Sequence, residues 1–253
     1  MKGAPRGRKG SVKMKVRNTW LPLGVWVAVA LPGCRESTAV DQSLIAAAKT
    51  QVLDPALCAP SQPGFTPTAT NPYFPIAPGR QWVYEGNESG AAIRLEITVL
   101  NQQEPVAGVT TQVVEERETN DGVLVEVSRN FFAQAHNGAV CYFGEAVDIY
   151  EGGVIVSHEG SWRADDPGNA PGIIMPQNPE PGQKFKVELA PGVAEDEATI
   201  VSTGRVKVPA GTFPDAIKIR DFNPLDGGKG RKAFAAGVGL IVDGAVELVS
   251  YTP

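Results

Sequence analysis

From Gln81 onward the chain is written in steps of two. Ile93, Leu95, Ile97 and Val99 alternate with Arg94, Glu96 and Thr98. Side chains of a strand point to opposite faces in turn, so such a run has one apolar face and one wet face. Val109–Glu118 and Val123–Arg129 continue the theme and are joined by Asn120-Asp121-Gly122, a hairpin signal. Phe131–Gln134 and Val140–Gly144 flank His136-Asn137-Gly138, and Glu151-Gly152-Gly153 marks a further turn before Val154–Glu159. Strands are also expected at Lys184–Leu189, Ala198–Ser202, Gly204–Val208, Ala216–Phe222, Arg231–Ala235, Leu240–Val242 and Ala245–Tyr251. Short strands with tight turns predict an all-β antiparallel meander. A meander this long curls until its apolar faces meet, as a strongly curved half-barrel or a closed barrel.

The segment Asn71–Gly86, NPYFPIAPGRQWVYEG, is the entrance to that domain. Three prolines stiffen the approach, Pro78-Gly79 turns the chain, and Gln81–Glu85 begins the alternation. The predicted organisation is a leader over 1–33, a tether over 34–70 and one β domain over 71–253. Within the tether, Asp41-Gln42-Ser43 can cap a short helix over Leu44–Leu53, and Cys58–Thr70 reads as an extended linker. One irregular insertion, Ala164–Gln183, carries the apolar cluster Ile173-Ile174-Met175. It is either a lid over the barrel mouth or a loop packed on the end of the core.

The leader holds seven Lys and Arg and no acidic residue, followed by the apolar run Trp20–Pro32. That run is too short to span a bilayer and suits a signal-peptide core. It stops at Leu31-Pro32-Gly33-Cys34, which resembles a bacterial lipobox, although Pro32 departs from the usual small residue there. Cys34 is therefore the expected lipidation site, and the alternative is ordinary secretion with Cys34 free. The expected location is the cell envelope: lipid-anchored, at the outer membrane or periplasm of a Gram-negative cell, or secreted. Beyond the leader, 16 basic residues face 28 acidic ones, a net charge near −12. That excludes nucleic acid as a partner, because phosphates require a basic surface. Export also brings the chain to a compartment where disulfides persist. Cys58 and Cys141 are then an even pair, either bridged or two buried thiols.

The segment Tyr73-Phe74-Pro75-Ile76-Ala77-Pro78-Gly79 with Trp82 and Tyr84 resembles the Y-F-P-(L/I)-x-P-G-x-x-W-x-Y opening of a group of bacterial lipoproteins and secreted proteins. Val208–Phe213, Ala216–Ile219 and Phe234–Ile241 are similar to that group's ending, so the resemblance covers roughly 71–251. It implies a half-barrel like those of LolA/LolB-type lipoprotein carriers and TapB-like proteins. It brings no reaction with it, since a shared fold does not fix a function.

The chain contains no G-x-S-x-G, H-E-x-x-H, C-x-x-C, P-loop or G-x-G-x-x-G motif. Three kinds of site remain open. Glu145, His158, Glu159 and Glu195 are candidates for a carboxylate–histidine centre of an envelope hydrolase or lyase. Glu145, Glu195 and Asp196 are oxygen donors for a divalent cation, otherwise no cofactor is expected. Trp82, Tyr84, Tyr142, Trp162 and Met175 are candidate walls of a pocket for an apolar or amphipathic ligand, or simply core. The leading expectation is an extracytoplasmic binding or carrier protein, with the membrane as one partner and an apolar small molecule, a lipid or an envelope protein as another. A structural envelope protein with no small ligand is the further alternative. Metabolic labelling with palmitate in a bacterial host should tag the chain, and Cys34→Ser should abolish the tag; a labelled Cys34→Ser chain would remove Cys34 as the site.

Overall fold

The computed structural model describes residues 50–252, and the leader, Cys34 and the predicted helix up to residue 49 lie outside the described residues. Two meanders make up most of the sheet. The first runs through β2 (Gln81–Glu88), β3 (Ala91–Val106), β4 (Val109–Asn120), β5 (Val123–Gln134) and β6 (Val140–Glu151). The second runs through β12 (Glu197–Val208), β13 (Gly211–Phe222), β14 (Lys229–Ala235), β15 (Gly239–Asp243) and β16 (Val246–Thr252). Between them come the short strands β7 (Val154–Ser157), β8 (Trp162–Arg163), β9 (Ala170–Met175), β10 (Gln183–Lys186) and β11 (Glu188–Leu189), while β1 (Gln51–Val52) precedes all.

These strands form one sheet in the order β1, β10, β12 to β16, β2 to β6, β9, β11, with β7 and β8 also pairing β6. Every pairing is antiparallel except that of β1 with β10. The two meanders are joined where β16 pairs β2, with Leu248 opposite Tyr84 and Tyr251 opposite Trp82. The ladder does not close. Its two ends meet on the single stretch 183–189, whose first part pairs β12 and whose second part pairs β9.

Alternation places the core where the sequence predicts it. Ile93, Leu95, Ile97 and Val99 of β3 are buried, and their neighbours Arg94, Glu96 and Thr98 are half-buried at most. One continuous apolar core draws on both meanders, from Tyr84 and Val114 to Ile217, Phe234 and Leu248. Burial of large apolar side chains at about 25 cal/mol per Å² is the main force holding such a sheet curved around its interior.

Residues 51–70, expected as tether, belong to the folded unit. Gln51 and Val52 pair β10, so the predicted helix does not extend to Leu53. Pro55–Cys58 is a single 3-10 turn capped by Asp54, whose Oδ1 accepts from the Ala56 N–H at 2.8 Å. Phe65 packs edge-on against Phe143 and Phe74 against Phe132, at 5.5 and 5.1 Å between centroids. The Gln134 side-chain oxygen accepts from the backbone N–H groups of Thr70 and Asn71, and the Asn71 side-chain Nδ2 donates to the Pro176 carbonyl at 2.8 Å. This strap covers the end of the sheet that carries the β5–β6 and β14–β15 turns, and the Gly237 N–H donates to Pro72.

The insertion 164–183 is not a free lid. Its centre is β9, pairing β6 with Cys141 opposite Ile173, and both Ile173 and Met175 are fully buried. Gly172 allows this, because a Cβ there would sit 2.0 Å from the Val187 carbonyl oxygen. Cys58 and Cys141 form a disulfide across 83 residues, fixing the strap to β6. A loop of that length is worth about 4 kcal/mol of unfolded-state entropy. The double variant Cys58→Ala/Cys141→Ala should therefore lose about 4 kcal/mol in urea unfolding; an unchanged midpoint would mean that the strap is held by packing alone.

Candidate functional site

The inner face of the sheet has an apolar floor and an acidic wall. The floor surrounds a cavity of about 60 Å³ lined by Phe74, Trp82, Tyr84, Ile97, Phe132 and Leu240, with Glu116 on its wall. Its aromatic walls are fixed. The Trp82 indole donates to the Val238 carbonyl at 2.8 Å, and the Tyr84 hydroxyl donates to the Leu240 carbonyl at 2.9 Å. Burial, with Glu116 and Asp243 adding to it, raises the Tyr84 phenol well above its ordinary value, so it stays neutral.

The acidic wall follows from strand register. Val99 faces Val114, Ile97 faces Glu116 and Leu95 faces Glu118, so those two glutamates continue the core face of β4. Glu118 pairs Glu126 on β5, and Asn130 pairs Glu145 on β6. The other meander supplies Lys232 opposite Ile219 and Asp243, and Asp221 opposite Ala198. Glu188 and Asp196 stand where the sheet ends meet, and both Val187 and Glu188 donate N–H bonds to the Asp196 carbonyl. The Lys232 ammonium lies 2.6 Å from Asp243 and 4.0 Å from Asp221. Burial opposes its charge, but Asp243 and Asp221 outweigh burial and raise its pKa.

One ammonium does not balance eight carboxylates. Burial, with repulsion from Asp243, pushes Glu116 up to about 7. Burial and Glu188 push Glu145 up to about 8, and burial and Asp196 push Glu188 up to about 7. Asp196 rises to about 6 through burial and Asp221. Burial likewise raises Glu118, Glu126 and Asp221. Phe74, packed on Phe132 of one meander and on Phe234 of the other, places both halves around one interior. Two buried polar atoms on this side lack partners, the Trp162 indole N–H and Asp196 Oδ1. Trp162 pairs Glu145 in register and meets Tyr142 edge-on at 5.3 Å. The Tyr142 hydroxyl in turn donates to the Asn130 side-chain oxygen.

Of the residues singled out from sequence, Glu145, Asp196, Trp82, Tyr84, Tyr142 and Trp162 share this interior. Met175 is buried in the core and does not line the cavity. His158 is on the outer face, 66% exposed at its side chain, with Nδ1 2.9 Å from Asp148 Oδ1. Glu159 is exposed, and Glu195 accepts from the Gly192 N–H in a turn at 2.7 Å. The carboxylate–histidine grouping is thus not assembled, because Glu145 and His158 occupy opposite faces of the sheet. Glu145, Glu195 and Asp196 do not converge as metal ligands either; among the described residues no cluster of three His, Cys, Asp or Glu is placed to hold a metal.

Glu116, Glu118, Glu126, Glu188, Asp221, Lys232 and Asp243 were not singled out from sequence. The available signal was Val114-x-Glu116-x-Glu118, an apolar face that turns acidic in mid-strand. Comparison with protein-family models, with curated proteins and with solved structures finds no match. The class defined here is an open, almost wholly antiparallel β-sheet with a strapped apolar end and a half-buried acidic wall.

The raised carboxyls have a stability consequence. The folded state keeps protons that the unfolded chain, with glutamate near 4.5, has already lost. Their contribution is full below the unfolded pKa and is lost as pH rises through about 7 to 8. Each group contributes a slope of up to about 1.4 kcal/mol per pH unit in that window. The melting temperature should fall from about pH 5 to about pH 8, and Glu145→Gln should flatten the fall; stability rising over this range would contradict the assignment.

Proposed function

We propose that the protein is an extracytoplasmic, lipid-anchored binding protein that holds a small amphipathic ligand bearing a cationic group. The carrying observation is that the apolar cavity and the acidic wall are continuous through Glu116. The ligand's apolar part would replace the empty space between Trp82 and Phe132. Its cation would meet carboxylates that lack a counter-charge and are held partly neutral by burial. Ionising a buried carboxyl is costly without a partner, and an arriving cation supplies the partner. Binding at neutral pH would then release protons from Glu116 and its neighbours.

A hydrolase or lyase is the second reading. Glu145 and Glu188 both carry raised pKa values, chiefly through burial, and strongly shifted carboxyls cluster at catalytic sites. It would run without His158, which is on the other face. The binding reading is preferred because the acids outnumber what proton transfer needs and adjoin an apolar cavity.

Three six-carbon probes test it: hexylamine, 1-hexanol and hexanoate, followed by tryptophan fluorescence above the folded pKa of Glu116. Hexylamine should bind most tightly and hexanoate least. Glu116→Gln should weaken hexylamine about tenfold or more, as expected for loss of a hydrogen bond to a charged group, and leave 1-hexanol unchanged. Hexanoate binding as well as hexylamine would overturn the reading, and no binding by any of the three would favour the structural envelope protein.

A further inference from the structure

The outer face of the second meander carries the opposite charge. Arg220 pairs Thr199 on one side and Arg231 on the other, Phe222 pairs Glu197 and Lys229, and Lys218 pairs Ser202 and Ala233. Lys218, Arg220, Lys229 and Arg231 therefore share one face, turned away from Ile217 and Ile219 in the core. The register of β10 adds Lys184 and Lys186 through Thr199 and Glu197. Six of the fourteen Lys and Arg in residues 50–252 thus lie on one face of four adjacent strands. Lys184 and Lys186 both pair Glu197. Among the described residues, no carboxylate forms an ion pair with Lys218, Arg220, Lys229 or Arg231.

Lys218, Arg220 and Arg231 border a groove of about 410 Å³ whose apolar lining includes Val201, Val206, Ala233 and Val242, with Glu247 as its carboxylate. Exposed apolar side chains punctuate the same surface. Val201 is 40% exposed and Phe222 37%, and Leu225 in the following loop is 46% exposed. Cations interleaved with single apolar side chains suit a lipid headgroup layer, which offers negative charge outside and hydrocarbon just beneath. An acidic protein surface would match the cations, but only a bilayer offers hydrocarbon beneath its charge at every point where a single apolar side chain stands.

We propose that this outer face of β10 and β12 to β14 docks on an anionic lipid surface. Arg220, Arg231, Lys218 and Lys229 meet the headgroups, and Phe222, Leu225 and Val201 enter the headgroup boundary. With the rest of the folded chain strongly acidic, an anionic bilayer repels other approaches and admits this one. The inference does not depend on ligand binding in the interior or on acylation of Cys34.

Every strand among the described residues lies between Gln51 and Thr252, so the test uses the chain from residue 34 onward with Cys34→Ser, which keeps that sheet and removes the leader and the acylation site. It is sedimented with vesicles of phosphatidylcholine alone and of phosphatidylcholine with phosphatidylglycerol. Binding to the anionic vesicles only, weakened by added salt, is the expected result. Arg220→Gln with Arg231→Gln should weaken it about 25-fold, at about fivefold for each cation removed near the surface. Phe222→Ser should weaken it further without changing the salt dependence. Both sites are exposed, and an unchanged melting temperature confirms that each variant is folded. Equal binding to neutral and anionic vesicles, or no effect of the double variant, would overturn the proposal. So would a salt-sensitive dimer in gel filtration that the double variant abolishes, because the face would then be pairing with the acidic side of a second copy.

Discussion

The ladder between β16 and β2 is the constraint on which the rest of the molecule depends. It joins the last strand of the chain to the first strand of the main sheet, and so turns two meanders into one. Without it each meander would expose an edge and half of a core, and Tyr84 and Leu248 would lose the neighbour that each buries. The seam is close enough to require glycine at Gly86, where a Cβ would sit 2.1 Å from the Ala245 carbonyl oxygen. It is also the most distant pairing in sequence. Non-local pairings must meet a loop-closure cost before they are rewarded, so the seam belongs late in folding. The strap shares this dependence, because it lies across both meanders, with Phe74 between Phe132 of one and Phe234 of the other.

A curved sheet closed off by a strap at one end would be stable with an apolar interior throughout. This one spends part of its inner surface on carboxylates, against the usual preference for keeping such groups in water. The outer surface of the second meander does the reverse and gathers cations. Both departures lower stability or solubility, and neither is needed to form the sheet. Where local rules are broken without a folding reason, a binding role is the economical explanation.

Alternation made the strands and their apolar faces legible, as β3 illustrates, and Asn120-Asp121-Gly122 located a hairpin that the structure contains. Alternation does not say which way a polar residue points when polar residues are adjacent. In Glu115-Glu116-Arg117-Glu118, Glu115 meets Arg129 outside while Glu116 faces the core, and the preceding Val113 and Val114, both apolar and both buried, let the alternation be phased either way. Only pairing with Ile97 of β3 decides the matter. The same limit hid Asp221 and Asp243. Asp148 drew His158 to the outer face by a contact across a bulged strand pair that spacing alone cannot register. In the insertion, prolines and glycines suggested irregularity, yet Gly172 is there because two backbones approach closely.

The two proposed surfaces would be coupled through protons. An anionic bilayer at about −30 mV concentrates protons about threefold at its surface. Glu116 and Glu188, held near 7, are in the range where such a change alters their charge, while an exposed glutamate near 4.5 is not. Docking through the basic outer face would therefore shift the acidic wall toward its neutral form and weaken its hold on a cation. On its anchor the domain would retain its ligand when clear of the bilayer surface and loosen it when docked, with no change needed in the site other than protonation. That coupling requires the carboxylates to titrate near neutrality, and it is burial against the apolar floor that puts them there.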